Sequence, residues 1–373
     1  MRKLFVAALA LLICGFAQAQ NDNSQKTLEE RVASLENTVK TRTASWDKIS
    51  RYISPSGYVV GGYNWNDAGT STFKINHVNI TFVGNLYKGD YGTVDYKVQA
   101  AFAGTPKLID AFITYKPIKE FGIKFGQFKS PLTFENSERS PVSLEFANYA
   151  LAVQRLARMS EQDVCGLSNA GRDLGFEFLG SALHRDGFSI INYELAVFNG
   201  YKLNTTDDNK SKDIVGRLII NPIKPLSVFG YFQRGEGAYP TFYDATQTYE
   251  PQDASKYLQM YRYGGGFDYT DYRGFVRAEF IAGKTDNLLK TMNSAGGYFA
   301  AGANIANHWQ VVARYDYMDE DVDSKKINEM DYTAGITYAP LKNVDLKLNY
   351  TYRQLNGGFQ DKNCIYLQLS YKF

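Results

Sequence analysis

From Ser56 to Phe373 the chain repeats one pattern, in which oily and polar side chains alternate at every second position in runs separated by turns. In 344–353, Val344, Leu346, Leu348, Tyr350 and Tyr352 share one parity, and Asp345, Lys347, Asn349, Thr351 and Arg353 share the other. The last residues, IYLQLSYKF, do the same and place Phe373 on the oily parity. A strand sends successive side chains to opposite faces, so each run is oily on one side and wet on the other. The wet side carries full charges on strand after strand, and the oily side needs a cover.

Two observations favour lipid over a soluble core as that cover. The strands are long enough to cross a tilted bilayer span. The connections also alternate between short turns, such as HRDG (184–187) and NPIKP (221–225), and long loops at 130–170, 200–211, 235–257, 285–295 and 319–328. Short turns at one end and long loops at the other are the two ends of an outer-membrane barrel. Strands are predicted near 56–66, 73–83, 93–103, 107–116, 121–129, 171–182, 188–199, 212–221, 226–234, 258–269, 272–284, 296–304, 309–318, 330–338, 344–354 and 362–373. That is sixteen, an even number, and closing the sheet is what pairs every backbone group in lipid. The 28 Tyr and 24 Phe fit aromatic girdles at the two membrane surfaces. The expected class is an all-β transmembrane antiparallel barrel over 56–373, in a bacterial outer membrane.

The N-terminus reads differently. Arg2 and Lys3, an apolar run over 4–16 and Ala17-Gln18-Ala19 predict a secretory signal peptide over 1–19. Cys14 after Leu11-Leu12-Ile13 offers a rival lipoprotein reading, against which Ile13 is bulky. Residues 20–55 are expected to be helical. Leu28, Val32, Leu35, Val39, Arg42, Trp46 and Ile49 recur at spacings of four and three, a heptad seam interrupted at Arg42. It reads either as a short coiled coil or as one amphipathic helix packed on its own protein.

Charge excludes one class. Arg2 and Lys3 leave with the signal, which takes 41 basic residues to 39, against 39 acidic. A nucleic-acid binder normally shows a basic excess, so nucleic acid is not an expected partner. Enzymatic motifs are absent from the sequence: no Gly-x-Ser-x-Gly, no HExxH, and His only at 77, 184 and 308. Neither a catalytic residue, a metal ligand nor a cofactor is assigned. Cys165 and Cys364 read either as one disulfide or as two thiols.

The stretch GQFKSP (126–131), followed by Glu135, Glu138-Arg139-Ser140 and GRDLGFEFLG (171–180), resembles the phosphate-selective porin O and P family. DAFITYKP (110–117), directly upstream, is similar too, and the resemblance spans about 56–373. It implies a trimeric sixteen-stranded outer-membrane porin, a third loop at about 130–170 folded into the barrel, and a lumen whose Arg and Lys conduct anions. Lys129, Arg139, Arg155 and Arg158 are then candidates for an electropositive constriction, with Glu135, Glu138, Glu145 and Glu161 as counterweights. Glu135 has a second reading as an anchor of the loop to the wall.

By parity Lys97, Lys116, Lys124, Arg217, Arg262, Arg277, Arg314, Lys347 and Arg353 point inward. So do Asp95, Asp110, Glu177, Glu194, Asp268, Glu279, Asp316, Asp331 and Asp345, and the two sets balance. A phosphate site needs cationic donors without acids nearby. The expected function is passive diffusion of small hydrophilic solutes, anions foremost and phosphate among them. The competing reading is a substrate-specific or plugged barrel that binds at its surface through loops such as the Tyr-rich 235–257.

Overall fold

The computed structural model describes residues 32–40, 49–50, 52–207, 211–237, 258–286, 291–324, 328–356 and 360–373. The signal peptide, heptad positions Leu28, Arg42 and Trp46, and most of the Tyr-rich loop (238–257) lie outside the described residues. The chain divides into two units, Met1–Arg51 and Tyr52–Phe373. In the first, residues 32–40 form helix α1, every residue of which is exposed.

The second unit is one closed barrel of sixteen antiparallel strands. They are β1 (Ser54–Asn66), β2 (Ser71–Gly89), β3 (Gly92–Ala101), β4 (Lys107–Ile118), β5 (Phe121–Lys129), β6 (Arg172–Arg185), β7 (Phe188–Phe198) and β8 (Asp213–Ile223). The ring continues with β9 (Leu226–Gly237), β10 (Leu258–Asp271), β11 (Gly274–Asp286), β12 (Thr291–Ala306), β13 (Trp309–Asp319), β14 (Asn328–Leu341), β15 (Val344–Leu355) and β16 (Lys362–Lys372). Each strand pairs with its sequence neighbours, and β1 pairs with β16 to close the ring.

The predicted parity holds in the burial. On β15, Leu346, Leu348 and Tyr350 are exposed on the outside, while Lys347, Asn349 and Thr351 are buried inside. The outward side chains form a continuous apolar face. Outer aromatic pairs include Trp309 stacked on Tyr338 at 4.4 Å, and Tyr315 tilted against Tyr332 at 5.2 Å. Among the described residues no helix is long and apolar enough to cross a membrane. The crossing elements are the strands.

The chain end seals the ring. Phe373 and Gly57 exchange backbone hydrogen bonds of 2.9 and 3.0 Å. A Cβ on Gly57 would sit 2.5 Å from the Phe373 ring, so the seam requires glycine there. Seven of the turns are two residues long, for example Asp186-Gly187, where both residues have positive φ. That is the type I′ geometry matching the twist of the flanking strands.

The third loop runs from Ser130 to Gly171. Its two ends meet, with the Ser130 amide donating to the Gly171 carbonyl at 3.0 Å. Between them it carries α2 (Phe134–Glu138) and α3 (Leu151–Leu156). The amphipathic stretch 142–159 is helical only over α3. The reason lies in the wall. Asn349 accepts the Ala147 amide at 2.7 Å, Asp316 accepts the Leu151 amide at 3.1 Å, and Arg314 donates to the Asn148 and Tyr149 carbonyls at 2.9 and 3.3 Å. Backbone groups that a longer helix would pair within itself are taken by barrel side chains.

Candidate functional site: the lumen and its third loop

The loop folds into the barrel and packs on its inner wall. Leu132, Phe134, Phe146, Leu151, Val153 and Leu156 join a buried cluster with wall residues Phe198, Val215, Phe229, Tyr231, Phe275, Ile281, Met292 and Val312. These wall residues come from β7–β13, so the loop leans on that half of the barrel. The inner face there is apolar because it faces the loop rather than water.

Polar anchors hold each turn of the loop. The Phe134 and Glu135 amides at the start of α2 donate to the two carboxylate oxygens of Glu279, at 2.6 and 3.3 Å, and the Tyr298 hydroxyl donates to Glu279 at 3.1 Å. Lys347 donates to the Leu144 carbonyl. Arg277 is fully buried; it pairs with Asp268 at 2.6 Å and grips Glu145 of the loop with both terminal nitrogens at 3.1 Å. Burial alone raises the Glu145 carboxyl, and the Arg277 and Arg139 charges overcome this and hold it below the usual range.

The structure separates the four constriction candidates, and Glu135 with them. Arg139 lies 3.7 Å from Glu145 and 3.6 Å from Asp268, beyond good hydrogen bonds, and faces a cavity. Arg155 binds Glu320 and Glu329 and faces a second cavity. Lys129 is turned into the loop, its ammonium held by the Asn136 and Arg139 carbonyls at 2.7 and 2.5 Å. Arg158 is buried, 2.9 Å from Asp213, and donates to the Glu236 carbonyl. Glu135 is buried, accepts the Ala150 amide at 2.7 Å, and lies 3.8 Å from Arg314. Lys129, Arg158 and Glu135 therefore brace the loop and do not present charge to solution.

Glu135 carries a pH signature. Burial pushes its carboxyl up to about 7, against the opposing pull of Arg314 and the Ala150 amide. Arg277 and Glu279 also face it. Between the ordinary carboxylate value and 7 the folded state binds more protons here than the unfolded state, so this site's contribution to stability falls as pH rises through that window. We expect the loop to resist protease better at pH 5 than at pH 8. Glu135→Gln should flatten that difference, which is on the order of 2 kcal/mol. An unchanged pH profile in the variant would assign the effect to another group.

All nine predicted lumen cations lie on inner-facing positions. Lys97 pairs with Asp110 at 2.6 Å, Lys124 with Glu177, Arg217 with Glu194 and Glu138, Arg314 with Asp316 at 2.7 Å, and Arg353 with Asp331 at 2.7 Å. Arg262 is buried and donates to the Tyr261 and Lys284 carbonyls at 2.9 and 3.3 Å. Lys116 is exposed at the short-turn end of the lumen. Charge balance in the sequence thus becomes charge pairing in space.

Among the described residues, two cavities flank the loop. One, of about 440 Å³, lies toward the short turns; its charged lining is Lys116, Lys119, Arg139 and Arg217 against Glu138 and Glu194. The other, of about 240 Å³, lies toward the long loops; its charged lining is Arg155, Arg353 and Lys362 against Glu320 and Glu329. Both carry a small cationic excess. An aromatic stack, Phe134 on Phe229 at 4.7 Å and Phe229 on Tyr231 at 6.5 Å, also lies within the lumen. All three rings are buried, so they offer no open face to a sugar.

Cys165 and Cys364 are both buried free thiols, which closes the question of a disulfide. Burial pushes the Cys165 thiol up to about 12. Among the described residues no cluster of His, Cys, Asp or Glu is placed to hold a metal. Sequence reading missed Asn349 as an anchor, and it missed that wall charges bind loop backbone; parity shows which way a side chain points but not what it meets.

Sixteen antiparallel strands closed on themselves, with an oily outer face and polar interior, form the architecture of bacterial outer membranes, and the chain is an outer-membrane barrel on that ground. No sequence-family profile matches it. No curated protein matches it either. Solved structures do share its fold. An anion-selective porin from Comamonas acidovorans is 11% identical with a TM-score of 0.67, over 86% of this chain and 99% of that one. A loop-deletion form of OmpT, an outer membrane protein of Vibrio cholerae, is 11% identical with a TM-score of 0.66, over 86% and 99%. OmpF of Salmonella typhi, in complex with daunomycin, is 11% identical with a TM-score of 0.58, over 86% and 97%. The chain has the porin fold.

Proposed function

We propose that this protein is an outer-membrane porin through which small hydrophilic solutes diffuse passively, with a mild preference for anions. The observation that carries the reading is the pair of cavities flanking an inward-folded third loop, each with more cations than carboxylates. Lumenal charge sets ion preference, and the loop sets the size limit. No reaction, cofactor or energy source enters. Assembly as a homotrimer belongs to the same proposal, supported by the resemblance to trimeric porins and by the heptads.

Phosphate is the finer question. The loop-flanking motifs favour it, while the pairing of Lys97, Lys124, Arg217, Arg277, Arg314 and Arg353 with carboxylates favours small anions in general. A second reading, a barrel closed by its loop, draws on the burial of inward residues on several strands, including Gln99, Ala300 and Ser370.

Planar-bilayer recording of the purified protein separates these readings. A steady conductance with an anionic reversal potential in a KCl gradient is expected, and Lys116→Glu with Lys119→Glu should abolish or reverse that preference. Block by added phosphate at low concentration would establish the phosphate porin. A cationic wild-type reversal potential would remove the anion preference, and no conductance from folded, inserted protein would establish the closed barrel.

A further inference from the structure

The cavity toward the short turns distributes its charge unevenly. Its two carboxylates, Glu138 and Glu194, are both taken by Arg217, whose Nη2 donates to Glu138 and whose Nε donates to Glu194, each at 2.6 Å. The other three cations of the lining, Lys116, Lys119 and Arg139, have no hydrogen-bonded carboxylate among the described residues. Lys116 and Lys119 are exposed. Pairing within the wall therefore neutralises the acids and leaves the cations to whatever enters.

Arg139 is the loosely held one. It stands 3.7 Å from Glu145 and 3.6 Å from Asp268, and Arg277 already holds both carboxylates, at 3.1 and 2.6 Å. Neither its buried Nε nor its terminal nitrogens donate a hydrogen bond among the described residues. The guanidinium lies over the Phe134 ring at 5.5 Å. Stacking on a ring fixes the plane of the fork and leaves its edge to donate. A fork with idle donors matches a carboxylate, which accepts two parallel N–H bonds.

Apolar side chains stand beside it. Leu179 shares a rung of the barrel with Glu194 and Arg217, Ile219 lies on the next rung, and both are half-buried. The volume of about 440 Å³ falls in the range of pockets that hold whole organic ligands. An inorganic ion would leave Leu179 and Ile219 facing water; an anion with an apolar body would cover them. We propose that this cavity binds small organic carboxylates with an apolar body, the Arg139 terminal nitrogens taking the carboxylate and Leu179 and Ile219 covering the body. Lys116 and Lys119 draw the anion in from the short-turn mouth. The inference rests on the porin reading and names the class of solute that this cavity selects.

The test uses the full-length protein with benzoate as probe, and acetate and inorganic phosphate as comparisons. Equilibrium dialysis in detergent reads binding, and block of the current in a planar bilayer reads occupancy of the pore. Benzoate is expected to bind and block several-fold more tightly than either comparison. Arg139→Gln should weaken benzoate by about tenfold, as loss of a charge-assisted pair does. Arg139→Lys should recover little of it, because an ammonium offers no fork. Leu179→Asn, outside the loop, should bring benzoate down to the level of acetate and leave acetate unchanged. Equal affinity for all three anions, or phosphate ahead of benzoate, would overturn the proposal, and so would full benzoate binding in Arg139→Gln. An anion-selective conductance without benzoate binding would overturn it while leaving the porin standing. Benzoate binding lost in Arg139→Gln, from a protein that does not conduct, would uphold the site and remove the porin.

Discussion

Replacing residues 131–170 with Asn-Gly should leave a folded barrel whose single-channel conductance is several-fold higher than the wild type's. The splice is geometrically modest. Lys129 already faces Arg172 across β5 and β6, and the Ser130 amide already donates to the Gly171 carbonyl. Asn-Gly suits a two-residue hairpin turn, so the ladder closes as it does at the short turns. What disappears is everything the loop places in the lumen, including the buried side chains of Leu132, Phe134, Phe146, Leu151 and Leu156. The variant should be less stable. Phe198, Phe229, Phe275 and Ile281 would face water, at about 1.5–3 kcal/mol for each side chain left fully exposed. Strand pairing and the lipid-facing surface are untouched, so closure should survive. Heat-modifiable migration on a gel checks folding, and bilayer recording checks the pore. Unchanged conductance from a folded variant would place the narrowing elsewhere than the loop.

The second large effect is on stability. Arg277→Met should lower unfolding stability by about 3–5 kcal/mol, the usual consequence of removing one partner from a buried ion pair. Arg277 is fully buried, bonded to Asp268 and Glu145, and lies over the rings of Phe134 and Phe275 at 5.5 and 5.2 Å. Its loss strands two carboxylates, near which Arg139, at 3.6–3.7 Å from both, remains. Glu145→Gln in the same chain should recover part of the loss, because one stranded charge is removed. The denaturant midpoint of the barrel in detergent reads the first effect, and protease cutting within 139–150 reads release of the loop. A single-variant loss below about 1 kcal/mol would mean that the pair is solvated, as exposed pairs are.

Both expectations rest on the third loop, and the sequence made that loop only partly legible. Its presence was plain, since about forty residues between GQFKSP and GRDLGFEF match no strand pattern. Its inward course followed only from the family resemblance. Its internal structure was legible only in outline, because 142–159 has helical amphipathicity throughout and forms only the short α3. Local propensity competes there with Asn349, Asp316 and Arg314, which lie 165 to 202 residues further along the chain and take the loop's backbone groups one by one. No local reading of 142–159 contains those partners.

The same division runs through the charges. Alternation alone placed Lys97, Lys124, Arg217, Arg277, Arg314 and Arg353 inside, and they are inside. It did not separate Arg139 and Arg155, which face cavities, from Lys129 and Arg158, which brace the loop. Arg139, Arg155 and Arg158 sit in one irregular segment, where no period assigns a face, and Lys129 is the last residue of β5, where the period ends.

By itself, then, the sequence determined the barrel. A strand's two-residue period, the even count of strands, the two-residue turns and the oily outer parity are local properties, and lipid rewards each strand for them separately. The closure of β1 on β16 followed because no edge survives in a membrane. Only the tertiary structure decided what fills the lumen. Which carboxylate meets which guanidinium, and which wall residue takes which loop amide, depends on groups far apart in sequence that come together once the ring has closed.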